Sequence, residues 1–222
     1  MKSKKIELVD YTRGEEILNI LTHLAGLVIP GFIIMRIFPM CADEPFYMLC
    51  AVLYALGSFL TFAASVVYHA IPPSDTKGIF RIVDHTAIFF AVAGTITGCV
   101  PAVFREGQTI GAVLMLVLAW GSVIAGSILT VFFFEKTKTI RMLIYIFSAA
   151  LSALAGAGTF LRLDPGAFIC LLTGGVVLLI GCVLYKAGKK KRYVHSIFHL
   201  FILLGLGIYC NGIYYFVYSL IK

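Results

Sequence analysis

Long runs of apolar residues alternate with short polar breaks along almost the whole chain. The runs predict membrane-spanning helices, because about 20 apolar residues cross the roughly 30 Å hydrocarbon core of a bilayer and backbone groups in lipid must be hydrogen-bonded internally. The breaks are short and carry charged residues or proline, so successive helices are expected to be antiparallel neighbours. The predicted spans cover residues 17–38, 46–70, 83–104, 109–134, 140–161, 165–185 and 193–221.

The composition supports this interpretation. Of the 222 residues, 60% are hydrophobic and 13% are charged, whereas about 25% of the residues in an ordinary soluble domain are charged. A soluble domain of this length has too little interior to hide so much apolar surface. The predicted fold class is therefore an all-α integral membrane protein, a seven-transmembrane helix bundle.

Positive charge is distributed unequally between the two ends of the predicted bundle. All but four of the 18 Lys and Arg residues lie in the N-terminal segment or in and beside the loops after the second, fourth and sixth spans. Because short cytoplasmic loops carry an excess of Lys and Arg, the N-terminus is predicted to be cytoplasmic and the C-terminus outside. The chain then divides into a cytoplasmic N-terminal segment, residues 1–16, and a seven-helix transmembrane domain, residues 17–222. The four remaining basic residues are Arg36, Arg105, Arg162 and Lys222.

The net charge of +7 follows from this bias and does not indicate nucleic-acid binding, since the basic loops are too short to form a binding face. Anionic lipid headgroups of the cytoplasmic leaflet are the expected partners of these loops. The sequence does not define an oligomeric state.

Few ionisable residues lie inside the spans, where they are costly and are therefore candidates for function. His195 and His199 stand four residues apart at the start of the seventh span, so both imidazoles lie on one helix face and can bind one metal ion. Alone, this pair is also consistent with interfacial histidines. His69 ends the second span and Asp84 opens the third. Because adjacent spans run in opposite directions, all four side chains are predicted to meet at the cytoplasmic end.

Zinc is the metal that this set of side chains favours. Imidazoles with at most one carboxylate suit zinc, whereas calcium and magnesium prefer several oxygen ligands. Three histidines with an open fourth position are typical of catalytic zinc, which lowers the pKa of its water to about 7. Two roles remain open for Asp84, as a direct ligand or as the base that holds this water. Ser65, one turn before His69, is expected to donate a hydrogen bond at the site or to bond back to its own helix.

The other ionisable residues near this end are expected to support the ligands. His85 follows Asp84 by about 100° of helical rotation, so it is predicted not to bind the same metal but to support a ligand or to make an interhelical hydrogen bond. One face of the first span is polar and also begins at the cytoplasmic end, where it is expected either to line the site or to brace the ligands, bracing being favoured. The residues of this face are Glu15, Asn19, Thr22 and His23.

Four segments together resemble the hemolysin III family, bacterial relatives of the adiponectin and progestin receptors in a wider group that includes the alkaline ceramidases. They are EEILNILTHLAG (15–26), SVVYH (65–69), RIVDH (81–85) and HSIFHLFILLG (195–205), in order at the matching spans. The resemblance implies a cytoplasmic N-terminus and a zinc ion held by His69, His195 and His199. It also implies that Asp84 sits on the zinc-bound water with Ser65 beside it. Tyr209 departs from the pattern, since many members have histidine there.

The function favoured by the site and the resemblance is zinc-dependent hydrolysis of a membrane lipid amide or ester, as some relatives hydrolyse the amide of ceramide. The alternatives are a lytic or channel-forming protein with structural zinc, and a sensor of a lipid-soluble ligand. A channel predicts a polar stripe along the bundle, and polar residues are few beyond its cytoplasmic third. The expected location is the cell (plasma) membrane, the cytoplasmic membrane of a bacterium. The expected partners are membrane lipids, a lipid substrate among them.

Overall fold

The computed structural model describes residues 6–187 and 191–222. Over these residues the regular structure is entirely helical, with seven helices long and apolar enough to cross a membrane. The prediction of an all-α membrane bundle is therefore confirmed, although part of the basic N-terminal segment and of the last basic loop lies outside the described residues. The helices are α1 (Arg13–Cys41), α2 (Pro45–Ala70), α3 (Asp75–Arg105), α4 (Thr109–Phe133), α5 (Lys138–Leu163), α6 (Pro165–Ala187) and α7 (Val194–Ile221).

Helix α1 is regular only in its first half. An α-helix over Arg13–Gly26 is followed by the α-helical turn Val28–Phe32, the π-helical turn Ile33–Ile37 and the 3-10 turn Phe38–Cys41. The irregular part contains two prolines, which lack the N–H that a continuous α-helix needs. The regular half begins with a capping box, in which the Thr12 side chain accepts from the Glu15 N–H and the Glu15 carboxylate accepts from the Thr12 N–H.

Helix α3 begins at Asp75, eight residues earlier than predicted. Ser74 caps it by accepting a hydrogen bond from the backbone N–H of Lys77 at 3.2 Å. Lys77 and Arg81, predicted as loop residues, therefore lie in the first turns of the helix and are buried. Hydropathy places these residues outside the helix because it scores them as solvated charges. In the structure each cation has a carboxylate partner, Glu16 for Lys77 and Glu135 for Arg81, which offsets part of the cost of burial.

Helix α3 is the centre of the bundle. Its apolar stretch is 78% buried, against 22–50% for the other six, and it packs against α2, α4, α5 and α7. The α2–α3 contact is closest at Gly57, where an added methyl group would lie 2.2 Å from the Phe90 carbonyl oxygen. Small residues permit this approach of two backbones in lipid. The contact fixes the end of α2, which carries Ser65 and His69, against the start of α3, which carries Asp84.

Candidate metal centre

Three histidines meet where the last turn of α2 faces the first two turns of α7. His69, His195 and His199 each offer a ring nitrogen, and these atoms lie within 4.8 Å of one another. The Nε2 atoms of His195 and His199 are 3.0 Å apart. Two of the rings are buried and that of His195 is partly buried. The structure thus brings together the three predicted ligands in a candidate three-histidine metal site, and no fourth residue within the described ranges joins the group.

The orientation of His69 is set by helix α1. Its Nδ1 atom donates a hydrogen bond to the Glu16 carboxylate at 2.5 Å, and an ionised carboxylate can only accept. The Nδ1 atom therefore carries the proton, so Nε2 keeps its lone pair. This Nε2 atom is buried without a hydrogen-bond partner in the described structure. A free lone pair in this position is what a metal ligand requires.

His199 is held in the same way by a different residue of α1. The Thr22 hydroxyl donates to the backbone oxygen of Leu18 at 2.9 Å or of Asn19 at 3.0 Å. Its oxygen then accepts from Nδ1 of His199, at 3.5 Å. The lone pair of His199 is thereby left on Nε2, the atom that faces His195.

Further contacts of α1 tie the two ligand-bearing helices together. The amide nitrogen of Asn19 lies 3.3 Å from Nδ1 of His69. The amide oxygen of Asn19 accepts a hydrogen bond from the Ser196 hydroxyl at 2.6 Å. Glu15 accepts from the backbone N–H of Tyr193 at 2.7 Å, at the residue that precedes α7. Glu15, Asn19 and Thr22, three members of the predicted polar face, thus contact the ligands or the helices that carry them.

Glu16 lies outside the predicted polar face, although it makes the shortest contact to a ligand. Its second carboxylate oxygen accepts from Nζ of Lys77 at 2.7 Å, and the same Nζ donates to the Ile71 carbonyl at 2.8 Å. The spacing of Glu16, Asn19 and His23, at i, i+3 and i+7, also describes one helix face and is the signal that identifies it.

Asp84 and Ser65 line one cavity with His195 and His199, two of the three histidines of the cluster. Asp84 interacts electrostatically with His69, and the Ser65 hydroxyl is next to its carboxyl group. Ser65 is buried and does not bond back to its own helix; its oxygen meets no group of the described structure at hydrogen-bonding geometry. Asp84 stands outside the group of atoms that can share one metal ion. Asp84 therefore shares a cavity with the cluster without belonging to the group of candidate ligands.

Two further histidines, His23 and His85, line the same cavity and make ring contacts. His23 does not brace a ligand by a hydrogen bond; its ring stacks on that of His199, with centroids 3.8 Å apart and planes inclined by 17°. Both of its nitrogens are buried without a partner among the described residues. His85 meets the ring of Phe134 edge-on at 5.0 Å, a ring contact where the sequence predicts support of a ligand or an interhelical hydrogen bond.

Tyr11 covers the cluster from the side of the N-terminal segment. Its ring stacks on His195 with centroids 5.0 Å apart, and lies 5.6 Å from the ring of His69. Burial raises the pKa of the Tyr11 phenol above its ordinary value, so this group stays protonated at neutral pH. The segment is fastened nearby, where the Glu7 carbonyl accepts from the Arg81 guanidinium. Sequence reasoning missed Tyr11 because it precedes the first helix and belongs to no periodic pattern.

A cavity of about 460 Å³ extends from the cluster into the bundle. The end of the cavity next to the cluster is polar and contains His195, His199 and Asp84 as well as the basic side chain of Arg141. Beyond this end, the wall is formed mainly by apolar side chains of α3, α5, α6 and α7, and Tyr209 lies along it. The cavity therefore joins the candidate metal site to an apolar compartment at membrane depth.

Comparison with known proteins places the chain in a family. A sequence model described as "Haemolysin-III related" matches residues 11–210, a range that includes all four motif segments. Hemolysin-3 of Bacillus cereus is 29% identical over 209 residues, which cover 92% of each chain. The Hemolysin-3 homolog of Bacillus subtilis (strain 168) is 28% identical over 197 residues, 88% of this chain and 91% of that protein. The human Monocyte to macrophage differentiation factor is 22% identical over 214 residues, 92% and 85% of the two chains. This multi-pass membrane protein belongs to the haemolysin-III related family.

Proposed function

We propose that this protein is a zinc-dependent hydrolase that cleaves an amide or ester bond of a membrane lipid. The observation that supports it best is the opening of the three-histidine cluster, with Asp84 beside it, into an apolar cavity at membrane depth. A purely structural metal needs neither the neighbouring carboxylate nor the cavity. The proposal places the site at the cytoplasmic face of the cell membrane, in agreement with the distribution of Lys and Arg.

The residues present fit zinc. All three donors are imidazole nitrogens, two of them with their lone pair directed to the centre by α1. The Nε2 atoms of His195 and His199 are 3.0 Å apart, and one nitrogen from each of the three histidines lies within 4.8 Å of the others, so all three could hold one ion. Nitrogen donors without several oxygens disfavour calcium and magnesium. His69, His195 and His199 are the proposed ligands.

The chain's own residues then have distinct tasks. When bound, zinc would supply a Lewis acid and a water molecule of pKa about 7. Asp84 accepts the proton that the water loses as its oxygen bonds to the carbonyl carbon of the lipid. Asp84 returns this proton to the leaving nitrogen or oxygen as the C–N or C–O bond breaks. Ser65 donates a hydrogen bond to the oxygen that becomes negatively charged.

The cavity explains why a lipid is the proposed substrate. Its volume of about 460 Å³ lies in the range of small-molecule sites, about 300–1,000 Å³, and its walls beyond the polar end are apolar. An acyl chain buries apolar surface there while the polar head reaches Asp84 and the histidines. A bound acyl chain would displace water from the cavity, which would strengthen electrostatic interactions at the site.

Two relatives carry the name hemolysin, which favours membrane lysis as the second candidate function. A water-filled pore requires polar groups or a hydrated path through the membrane. The walls of this cavity become apolar beyond the end next to the cluster. Such walls favour binding of a lipid over conduction through a water-filled pore. A sensor of a lipid-soluble ligand would use the same cavity without turnover.

Three measurements on the purified protein separate these functions. Elemental analysis is expected to find about one zinc per chain, lost in the double variant His195→Ala, His199→Ala. Release of fatty acid from N-acyl and O-acyl lipids is expected for the wild type and not for Asp84→Asn. Leakage of dye from vesicles measures lysis. The hydrolase is contradicted if the zinc-loaded wild type and Asp84→Asn lyse vesicles equally well and neither hydrolyses any of the lipids.

A further inference from the structure

His23 is a buried imidazole without a hydrogen-bond partner. Its side chain belongs to the regular half of α1 and is 5% exposed, yet neither Nδ1 nor Nε2 meets a donor or acceptor among the described residues. Buried polar groups are nearly always paired, and one that is not calls for an explanation such as strain, a catalytic role or a bound water, ion or ligand. An imidazole, unlike a serine or threonine hydroxyl, has no carbonyl of its own helix turn to bond to.

Packing accounts for the ring but not for its nitrogens. The ring stacks on His199 with centroids 3.8 Å apart and meets Phe62 edge-on at 5.4 Å. A phenyl ring satisfies both contacts and avoids the cost of burying two polar atoms. His23 is also not a member of the group of atoms that can share a metal ion. The nitrogens therefore require another partner.

The cavity supplies the place for that partner. His23 lines it together with Ser65, whose hydroxyl is likewise buried and unpartnered. The two residues come from different helices, α1 and α2, and both lie where the cavity reaches the histidine cluster. A neutral imidazole has one N–H donor and one acceptor nitrogen, so it matches a polar head that has both an oxygen acceptor and an N–H or hydroxyl donor.

We propose that His23 binds the polar head of the lipid that enters this cavity and so positions its amide or ester next to the histidine cluster. The proposal rests on the proposed function for the identity of the occupant, but the hydrogen bond itself does not depend on turnover. The N–H of His23 donates to an oxygen of the head, and the other ring nitrogen accepts from its N–H or hydroxyl group. The stacking of His23 on His199 keeps the His23 imidazole at the polar end of the cavity, next to the histidine cluster.

The test compares variants that separate the ring from its hydrogen-bonding atoms. His23→Phe keeps an aromatic ring for the contacts with His199 and Phe62, whereas His23→Gln keeps a donor and an acceptor without the ring. Binding of N-oleoylethanolamine is measured by native mass spectrometry on protein stripped of metal with a chelator, so that no turnover consumes the probe. Octadecane, which has no polar head, is the matched probe.

Loss of the hydrogen bond is expected to weaken binding of N-oleoylethanolamine about tenfold in His23→Phe and to leave His23→Gln within about threefold of the wild type. Octadecane binding is expected to be unchanged in both variants. Equal affinity of wild type and His23→Phe for N-oleoylethanolamine, or no binding of it to the wild type, overturns the proposal. If His23→Phe does not fold, His23→Leu replaces it, since leucine and glutamine are similar in size.

The same variants, reloaded with zinc, distinguish this proposal from that of the hydrolase. Binding that depends on residue 23 without any release of fatty acid contradicts the hydrolase and supports the assignment of His23. Hydrolysis at equal rates in the wild type and His23→Phe supports the hydrolase and contradicts the role of His23. Zinc content that is the same in all variants shows that the histidine cluster is intact.

Discussion

The carboxylate of Glu16 accepts a hydrogen bond from Nδ1 of His69 at 2.5 Å, while its other oxygen accepts from the buried ammonium group of Lys77 at 2.7 Å. The carboxylate orients the imidazole and holds its proton on Nδ1, as carboxylate partners of metal-bound histidines do. Lys77 compensates a charge that is costly to bury. The first helix therefore acts on the candidate metal site without supplying a ligand.

Replacing Glu16 by glutamine is expected to weaken zinc binding about 10- to 100-fold, the effect usual for such a partner. Glutamine keeps the size of the side chain, but its amide lacks the charge that favours a proton on Nδ1. Competition with a chromophoric zinc chelator measures the dissociation constant of the purified protein. Glu44→Gln is the control, because Glu44 is exposed and precedes α2 at the opposite end from the cluster. Equal affinities of Glu16→Gln and Glu44→Gln would contradict the role of Glu16.

Replacing Tyr11 by alanine is expected to speed the removal of the metal. The ring covers His195 and His69, and aromatic contacts of this kind are worth about 0.5–1.5 kcal/mol, which corresponds to about two- to tenfold in rate. The measurement is the rate at which a chelator in excess extracts zinc. Tyr11→Phe retains the ring and is expected to release zinc at the wild-type rate. A wild-type rate in Tyr11→Ala as well shows that the N-terminal segment does not limit access.

Much of the candidate site is predictable from the sequence because the regular period of a helix determines which residues share a face and at which end of the span they lie. Two histidines four residues apart in one span, and one histidine at the end of another, converge once the spans alternate in direction. Glu16 and Tyr11 are harder to predict for physical reasons. The contact of Glu16 depends on how α1 is rotated against α2. Tyr11 lies before α1 in a segment without regular structure, which is bonded to Arg81 through the Glu7 carbonyl. The prediction that Lys77 and Arg81 lie in a loop is wrong. Hydropathy scores every Lys and Arg as solvated, whereas these two lie in α3 and are buried and paired.

Gly57 tests whether the α2–α3 contact holds the site together. A methyl group there would lie 2.2 Å from the Phe90 carbonyl oxygen, so Gly57→Ala is expected to destabilise the protein by about 1–3 kcal/mol through overpacking. Thermal unfolding in detergent measures the effect. Gly121→Ala is the matched control, because a methyl group at Gly121 of α4 has no atom within 4 Å. Similar unfolding temperatures for both variants would show that the two backbones separate easily.

The orientation of the bundle decides which side of the membrane the histidine cluster faces. The described part of the N-terminal segment shares one end of the bundle with the cluster, and the positive-inside bias predicts that this end faces the cytoplasm. Alkaline phosphatase fused after Lys222 is therefore expected to be active, since it folds only outside, whereas green fluorescent protein at the same place is expected to stay dark. The opposite pair of results is expected for fusions placed in the loop after Phe133. A fluorescent C-terminal fusion would invert the assignment, and the cluster would then draw its water from outside the cell.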